Sequence, residues 1–181
     1  MIQTEYLPKI DKEYLEKIDN DFLLKALKPY SSKKAVYLQE ASVLSSRQLG
    51  SDSNYIVQGK FSIESPCYVD ETGHFNAVEF VMCYNQIGAV SLAYATQNKL
   101  LLCLQDLTVE EFYILYMSGI YITRLESTYK SLINPQEFSC KFEVIKERKR
   151  SRLSILKTLV EFSDPQGGII SGKVDLAIKH S

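Results

Sequence analysis

Residues 64–86 read ESPCYVDETGHFNAVEFVMCYNQ, and the run continues as IGAVSLAYATQ to residue 97. From position 75 onward Phe75, Val78, Phe80, Val81, Met82, Ile87, Val90 and Leu92 leave almost no polar face. A helix that is apolar nearly all round belongs inside a protein, so this stretch predicts a long buried helix over about 75–95. The small residues Ala77, Gly88, Ala89, Ala93 and Ala95 would let neighbouring backbones come close.

What surrounds that helix reads mostly as strand. Tyr55, Val57, Phe61 and Ile63 alternate with Gln58, Lys60 and Ser62, and this strand pairs with an earlier one at about 36–44 across a Ser-, Gly- and Asp-containing loop, SSRQLGSDS. Residues 138–144 and 170–178 alternate in the same way, 120–129 reads as a further strand, and SRLSILKTLVEF (151–162) reads as a more fully buried one. Thr108 and Glu111 form a capping box that starts a short helix over about 109–118. A first helix is expected over about 11–28, with Asp11 as cap, Ile10 and Leu15 as staple, and Leu15, Ile18, Phe22 and Ala26 on one face. Pro29 would end it and leave Tyr30 just beyond. The sum is an α+β chain, an antiparallel sheet of five or six strands around one buried helix.

Composition narrows the function classes. At 181 residues the chain fits one domain, residues 1–181, and 45% apolar with 24% charged residues is ordinary globular usage. Twenty-one basic against 22 acidic residues give a net charge of -1, which argues against a nucleic-acid-coated surface. No apolar run reaches the roughly 18 residues of a membrane span. Cysteines at 67, 83, 103 and 140 are unclustered and only two histidines are present, so neither a metal centre nor a disulfide framework is expected. The first residues lack the pattern of a secretory signal, which points to the cytoplasm.

The segments ESPCY, TGHFNAVE and CYNQ at this spacing, with NPQEFS at 134–139 and KPYS around Tyr30, closely resemble the FcoT-type family over nearly the whole chain. The resemblance implies the hot-dog fold. It also implies an enzyme acting on a fatty acyl thioester carried by acyl carrier protein or CoA, without a cofactor. Family members are described either as long-chain acyl-CoA thioesterases or as (2E)-enoyl-[acyl-carrier-protein] glycyltransferases of isonitrile lipopeptide biosynthesis, which add glycine to the β-carbon. Hot-dog proteins generally build their acyl tunnel between two subunits, so a homo-oligomer built from dimers is implied as well.

Both reactions place negative charge on the thioester oxygen, and a helix N-terminus offers unpaired amides and a favourable dipole for it. The GHFNA start of the buried helix is the expected place for the carbonyl, with Gly73 allowing close approach. Tyr68, Asn76 and Tyr30 match residues implicated in the family. Asn76 can donate to the oxyanion or simply cap the helix; Tyr68 can donate or move a proton; Tyr30 can be a second donor or pocket wall. Glu79 and Gln86 share the Asn76 stripe, and Glu79 is either a general base or a carboxylate tying down a loop. His74 is a further proton-transfer candidate or a helix-start residue. Asn85 falls about 180° round the helix from Asn76, so it belongs to another polar pocket or to a subunit interface. Cys83 has no evident base and there is no GxSxG elbow, so no acyl-enzyme is expected. Adding glycine also requires a cation for its carboxylate, with Arg124 or the basic run KERKRSR (146–152) as candidates. That run is either a solvated hairpin tip or a landing site for CoA phosphates or an acidic carrier protein.

Overall fold

The computed structural model describes residues 16–45, 55–70 and 74–180. In chain order its elements are β1 (Glu16–Lys17), α1 (Asn20–Ser31), β2 (Leu38–Ser45), β3 (Tyr55–Phe61), α2 (Ala77–Gln97) and α3 (Val109–Gly119). The long strands β4 (Ile120–Tyr129), β5 (Phe138–Arg148), β6 (Leu153–Ser163) and β7 (Ile169–Lys179) complete the order. The strands form one sheet in the order β1-β2-β3-β5-β6-β7-β4, antiparallel at every pairing. This is the hot-dog arrangement, with α2 as the central helix.

The apolar, nearly faceless sequence of α2 is buried as its composition requires: Phe80, Ile87, Val90 and Leu92 have no exposed surface. Burying each side chain of this size contributes about 1.5–3 kcal/mol relative to leaving it in water. Inward residues of the sheet meet them, Tyr55, Val57 and Phe61 from β3 and Phe138, Cys140, Phe142 and Val144 from β5. Two strand glycines let the helix settle onto the sheet. A Cβ at Gly172 would lie 2.4 Å from Phe80, and one at Gly59 would lie 2.7 Å from Leu38 and 2.9 Å from Ile87. Gly88 behaves differently: a Cβ there would meet nothing within 4 Å, so it opens space and brings no backbone close.

Several expectations change. Asp19, not Asp11, caps α1, accepting from Asp21 N at 2.9 Å and Phe22 N at 3.2 Å. Asp11 and Leu15 lie outside the described residues, as do the hairpin loop 46–54 and Gly73. Ahead of that cap Glu16 and Lys17 pair with Val43 and Ser42 as strand, and the Ile18 amide donates to Ala41 O, so helix cannot begin until the sheet lets the chain go. Pro29 lies inside α1 and does not end it. Being in the last turn, it removes only one intrahelical bond, while Ser31 Oγ donates to the Lys28 carbonyl left over there. Tyr30 therefore belongs to the last turn of α1. Strand β6 is not fully buried, because Lys157 and Glu161 emerge on the uncovered outer face. Among the described residues the sheet has seven strands, one more than the upper expectation.

Candidate active site

Helix α2 begins with a capping box. Asn76 Oδ1 accepts from Val78 N at 2.7 Å, and Glu79 Oε2 accepts from Asn76 N at 3.0 Å. Asn76 thus caps the helix with one end of its amide. The other end does something else: Nδ2 donates to Tyr68 Oη at 2.8 Å, and Tyr68 Oη donates to Glu79 Oε1 at 2.7 Å. The cap role of Asn76 is thus carried by its amide oxygen, and the amide nitrogen is turned toward the Tyr68 phenol.

Glu79 is 1% exposed, and both of its donors are neutral groups. A buried carboxylate so held stays directed at the phenol. Tyr68 is 40% exposed and forms the open end of the chain. Desolvation and then the Glu79 carboxylate that accepts its proton raise the Tyr68 phenol above its ordinary value, while the Asn76 amide donating to it works the other way. The phenol proton is therefore kept on oxygen at neutral pH. His74, exposed, lies just ahead of the helix start.

Further along the stripe, Cys83 is fully buried, and burial pushes its thiol well up, which removes it as a nucleophile. Gln86, also fully buried, is structural: its Oε1 accepts from Tyr37 N and Leu38 N, and its Nε2 donates to Ala35 O at 2.7 Å. Nothing in the sequence marked Tyr37, whose phenol accepts from the Cys67 amide at 2.9 Å, next to Tyr68.

Tyr30 and Asn85 come together elsewhere. They line a cavity of about 210 Å³ with Tyr84, Gly88, Leu92, Met117, Ile120 and Ile122 among its walls. Tyr116 links them, donating to Asn85 O at 2.7 Å and lying 3.5 Å from Tyr30 Oη. Burial raises the phenols of Tyr30 and Tyr116. Nine helical residues separate Asn85 from Asn76, about 13 Å of rise and half a turn of rotation, so within one chain this cavity and the Tyr68–Asn76–Glu79 group are distinct.

The other candidate cations lie away from the helix start. Arg124 is on the outer face of the sheet, paired with Glu126 beyond a register shift in β4. The basic run forms the β5–β6 hairpin end, where Lys149 pairs with Asp106 and Glu147 accepts from the Cys103 amide just after α2. It therefore sits at the opposite end of α2 from Asn76. A concavity of about 350 Å³ is also on the outer face, between Glu126, Lys141, Glu143, Glu161 and Lys173. Its walls of alternating charge do not suit an acyl chain, whereas the Tyr30–Asn85 cavity is largely apolar.

Among the described residues no cluster of His, Cys, Asp and Glu could hold a metal ion, and no helix is long and apolar enough to cross a membrane. Two crystal structures of proteins provisionally named thioesterases share the fold. One from Shewanella oneidensis has a TM-score of 0.52 at 12% identity, covering 90% of this chain and 100% of the other. One from Lactococcus lactis has a TM-score of 0.52 at 9% identity, covering 81% and 97%. Among curated proteins, the (2E)-enoyl-[ACP] glycyltransferase of Mycobacterium marinum is 32% identical over 156 residues, 84% of this chain and 82% of the relative. The one of Streptomyces coeruleorubidus is 29% identical, covering 83% and 91%. The model of the FcoT-like thioesterase domain matches residues 25–178, a span that runs from the middle of α1 to the penultimate residue of β7 and holds the buried helix and the Tyr68–Asn76–Glu79 group, and the chain belongs to that family.

Proposed function

We propose that the protein adds glycine to the β-carbon of a (2E)-enoyl thioester carried on acyl carrier protein or CoA, a reading in keeping with the name (2E)-enoyl-[ACP] glycyltransferase that its curated relatives carry. The observation that carries this reading is the hydrogen-bonded chain from Asn76 through Tyr68 to the buried Glu79 at the start of α2. Glu79, through the Tyr68 phenol, takes a proton from the glycine ammonium. The freed amine attacks the β-carbon and forms the carbon–nitrogen bond as the α,β double bond becomes an enolate. Asn76, Tyr68 and the Ala77 amide, the first of α2 and outside the capping box, stabilise the enolate oxygen. The proton held by Glu79 then returns to the α-carbon, so the adduct is a secondary ammonium and no proton is gained or lost. His74, exposed just ahead of the helix start, is a second group able to move a proton.

The Tyr30–Asn85 cavity takes the acyl chain in this reading, supplied by a second copy. Strand β4 is a sheet edge with Tyr121, Ile122 and Tyr129 exposed. Its Tyr129 end packs on Phe80 near the start of α2, and its Ile120 end lines the cavity. Antiparallel pairing of two β4 edges about a two-fold axis would bring the cavity of one copy toward the Asn76 end of the other. The four unpaired cysteines suit a reducing cytoplasm.

Hydrolysis is the second reading, favoured by the exposure of Tyr68, which lets water reach the same relay. Product analysis separates the two. Incubated with an α,β-unsaturated acyl carrier protein and glycine, the protein should yield a β-amino adduct, and a saturated thioester should yield none. If glycine never enters the product while both thioesters are hydrolysed at similar rates, the addition reading is wrong.

A further inference from the structure

Tyr37 belongs to no motif, yet it is 4% exposed and fixed on several sides. Its amide donates to Gln86 Oε1 at 2.8 Å, and its carbonyl accepts from Ser62 N at 3.0 Å. Gln86 is itself fully buried on α2. The backbone of Tyr37 is thus tied to the central helix on one side and to the chain after β3 on the other.

From that anchor the phenol reaches the amide of Cys67 at 2.9 Å. Cys67 and Tyr68 lie in the 64–70 segment, which has neither helix nor strand to hold it. Tyr68 then meets Glu79 and Asn76. The chain of contacts leaves α2 at Gln86, passes through Tyr37, Cys67 and Tyr68, and returns to α2 at Glu79. Seven residues separate the two helix ends of this ring, two turns on one face or about 10 Å.

We infer that Tyr37 is a positioning residue whose phenol, by holding the Cys67 amide, sets where the Tyr68 phenol stands relative to Glu79 and Asn76. The inference rests on the role given above to Tyr68. A misplacement of about 1 Å at a reacting group can cost on the order of 100-fold in rate. Tyr37→Phe keeps the buried ring and deletes the hydroxyl that holds Cys67, chiefly through its amide.

The test uses the full chain and follows turnover of an enoyl thioester, by addition or by hydrolysis. Tyr37→Phe should lower kcat roughly 10- to 100-fold with KM changed less than about threefold. Hydrogen exchange at the Cys67 amide should speed up at least about tenfold, while exchange in β5 and β6 stays as in the parent. In a Tyr68→Phe background, Tyr37→Phe should cost nothing further, since two residues acting through one phenol are not additive. Unchanged exchange at Cys67, or the same fractional loss in both backgrounds, overturns the positioning role. If Tyr68→Phe alone keeps parental turnover, the role of Tyr68 fails and the inference falls with it.

Discussion

Asn76 caps α2 with one amide atom and holds Tyr68 with the other, so two substitutions can take the roles apart. Asn76→Ser keeps an oxygen able to cap, and serine caps about as well as asparagine, but it has no second group to donate to Tyr68. Asn76→Ala loses both. Loss of a cap costs about 0.5–2 kcal/mol, typically near 1, and for a chain of this size each 1 kcal/mol lowers Tm by roughly 2–4 °C. The alanine variant should therefore melt a few degrees below the parent, and the serine variant close to it. Loss of a donor aimed at developing oxyanion charge costs about 10²–10³ in kcat, so both variants should lose turnover to that extent. Thermal melting and steady-state kinetics on the three proteins decide it. A serine variant with parental turnover would reduce Asn76 to a cap and refute the donor role.

Glu79→Gln keeps an acceptor for Tyr68 but takes no proton, so glycine addition should slow by about 10²–10⁴ while KM for the thioester stays within a few-fold, as steady-state assays would show. If the site is shared between two copies, Asn76→Ala and Asn85→Ala subunits, each inactive alone, should recover roughly a quarter of parental activity when assembled together, because half the dimers then hold one intact site. No recovery would place each site within one chain. Asp164 collects the amides of Asn134, Gln166 and Gly168, which hold its carboxyl below the ordinary 3.8. With the folded pKa depressed, its stabilisation is present above the unfolded pKa and is lost as pH falls through the folded one. Asp164→Asn should accordingly be less stable near neutrality, and denaturant midpoints of variant and parent should converge as pH falls through the depressed folded pKa.

The buried helix was legible because Phe80, Val90 and Leu92 fall on different sides of one helical run, a pattern that local chemistry alone interprets. The capping box at Thr108 and Glu111 was legible for the same reason. Asp11 and Asp19 offer equally good caps, and the choice is made by the pairing of residues 16–17 with β2, a contact at long range. Arg124 was a candidate cation that the sequence could not place, because a one-residue register shift in β4, invisible in sequence, decides which face it takes. Tyr68, Asn76 and Glu79 were each candidates from motif or spacing, but Tyr37 was not, since only the folded chain brings the residue just ahead of β2 beside the 64–70 segment.

The central claim, that the start of α2 with Tyr68, Asn76 and Glu79 is where the thioester reacts, is tested most directly by a crystal structure with a non-reactive acyl-pantetheine analogue, its thioester replaced by an amide. The analogue's carbonyl oxygen should lie about 2.7–3.1 Å from the Tyr68 phenol or the Asn76 amide, with the acyl chain in an apolar cavity walled by Tyr30 and Asn85. An analogue bound instead on the outer sheet face, between Lys141, Glu161 and Lys173, would contradict the account.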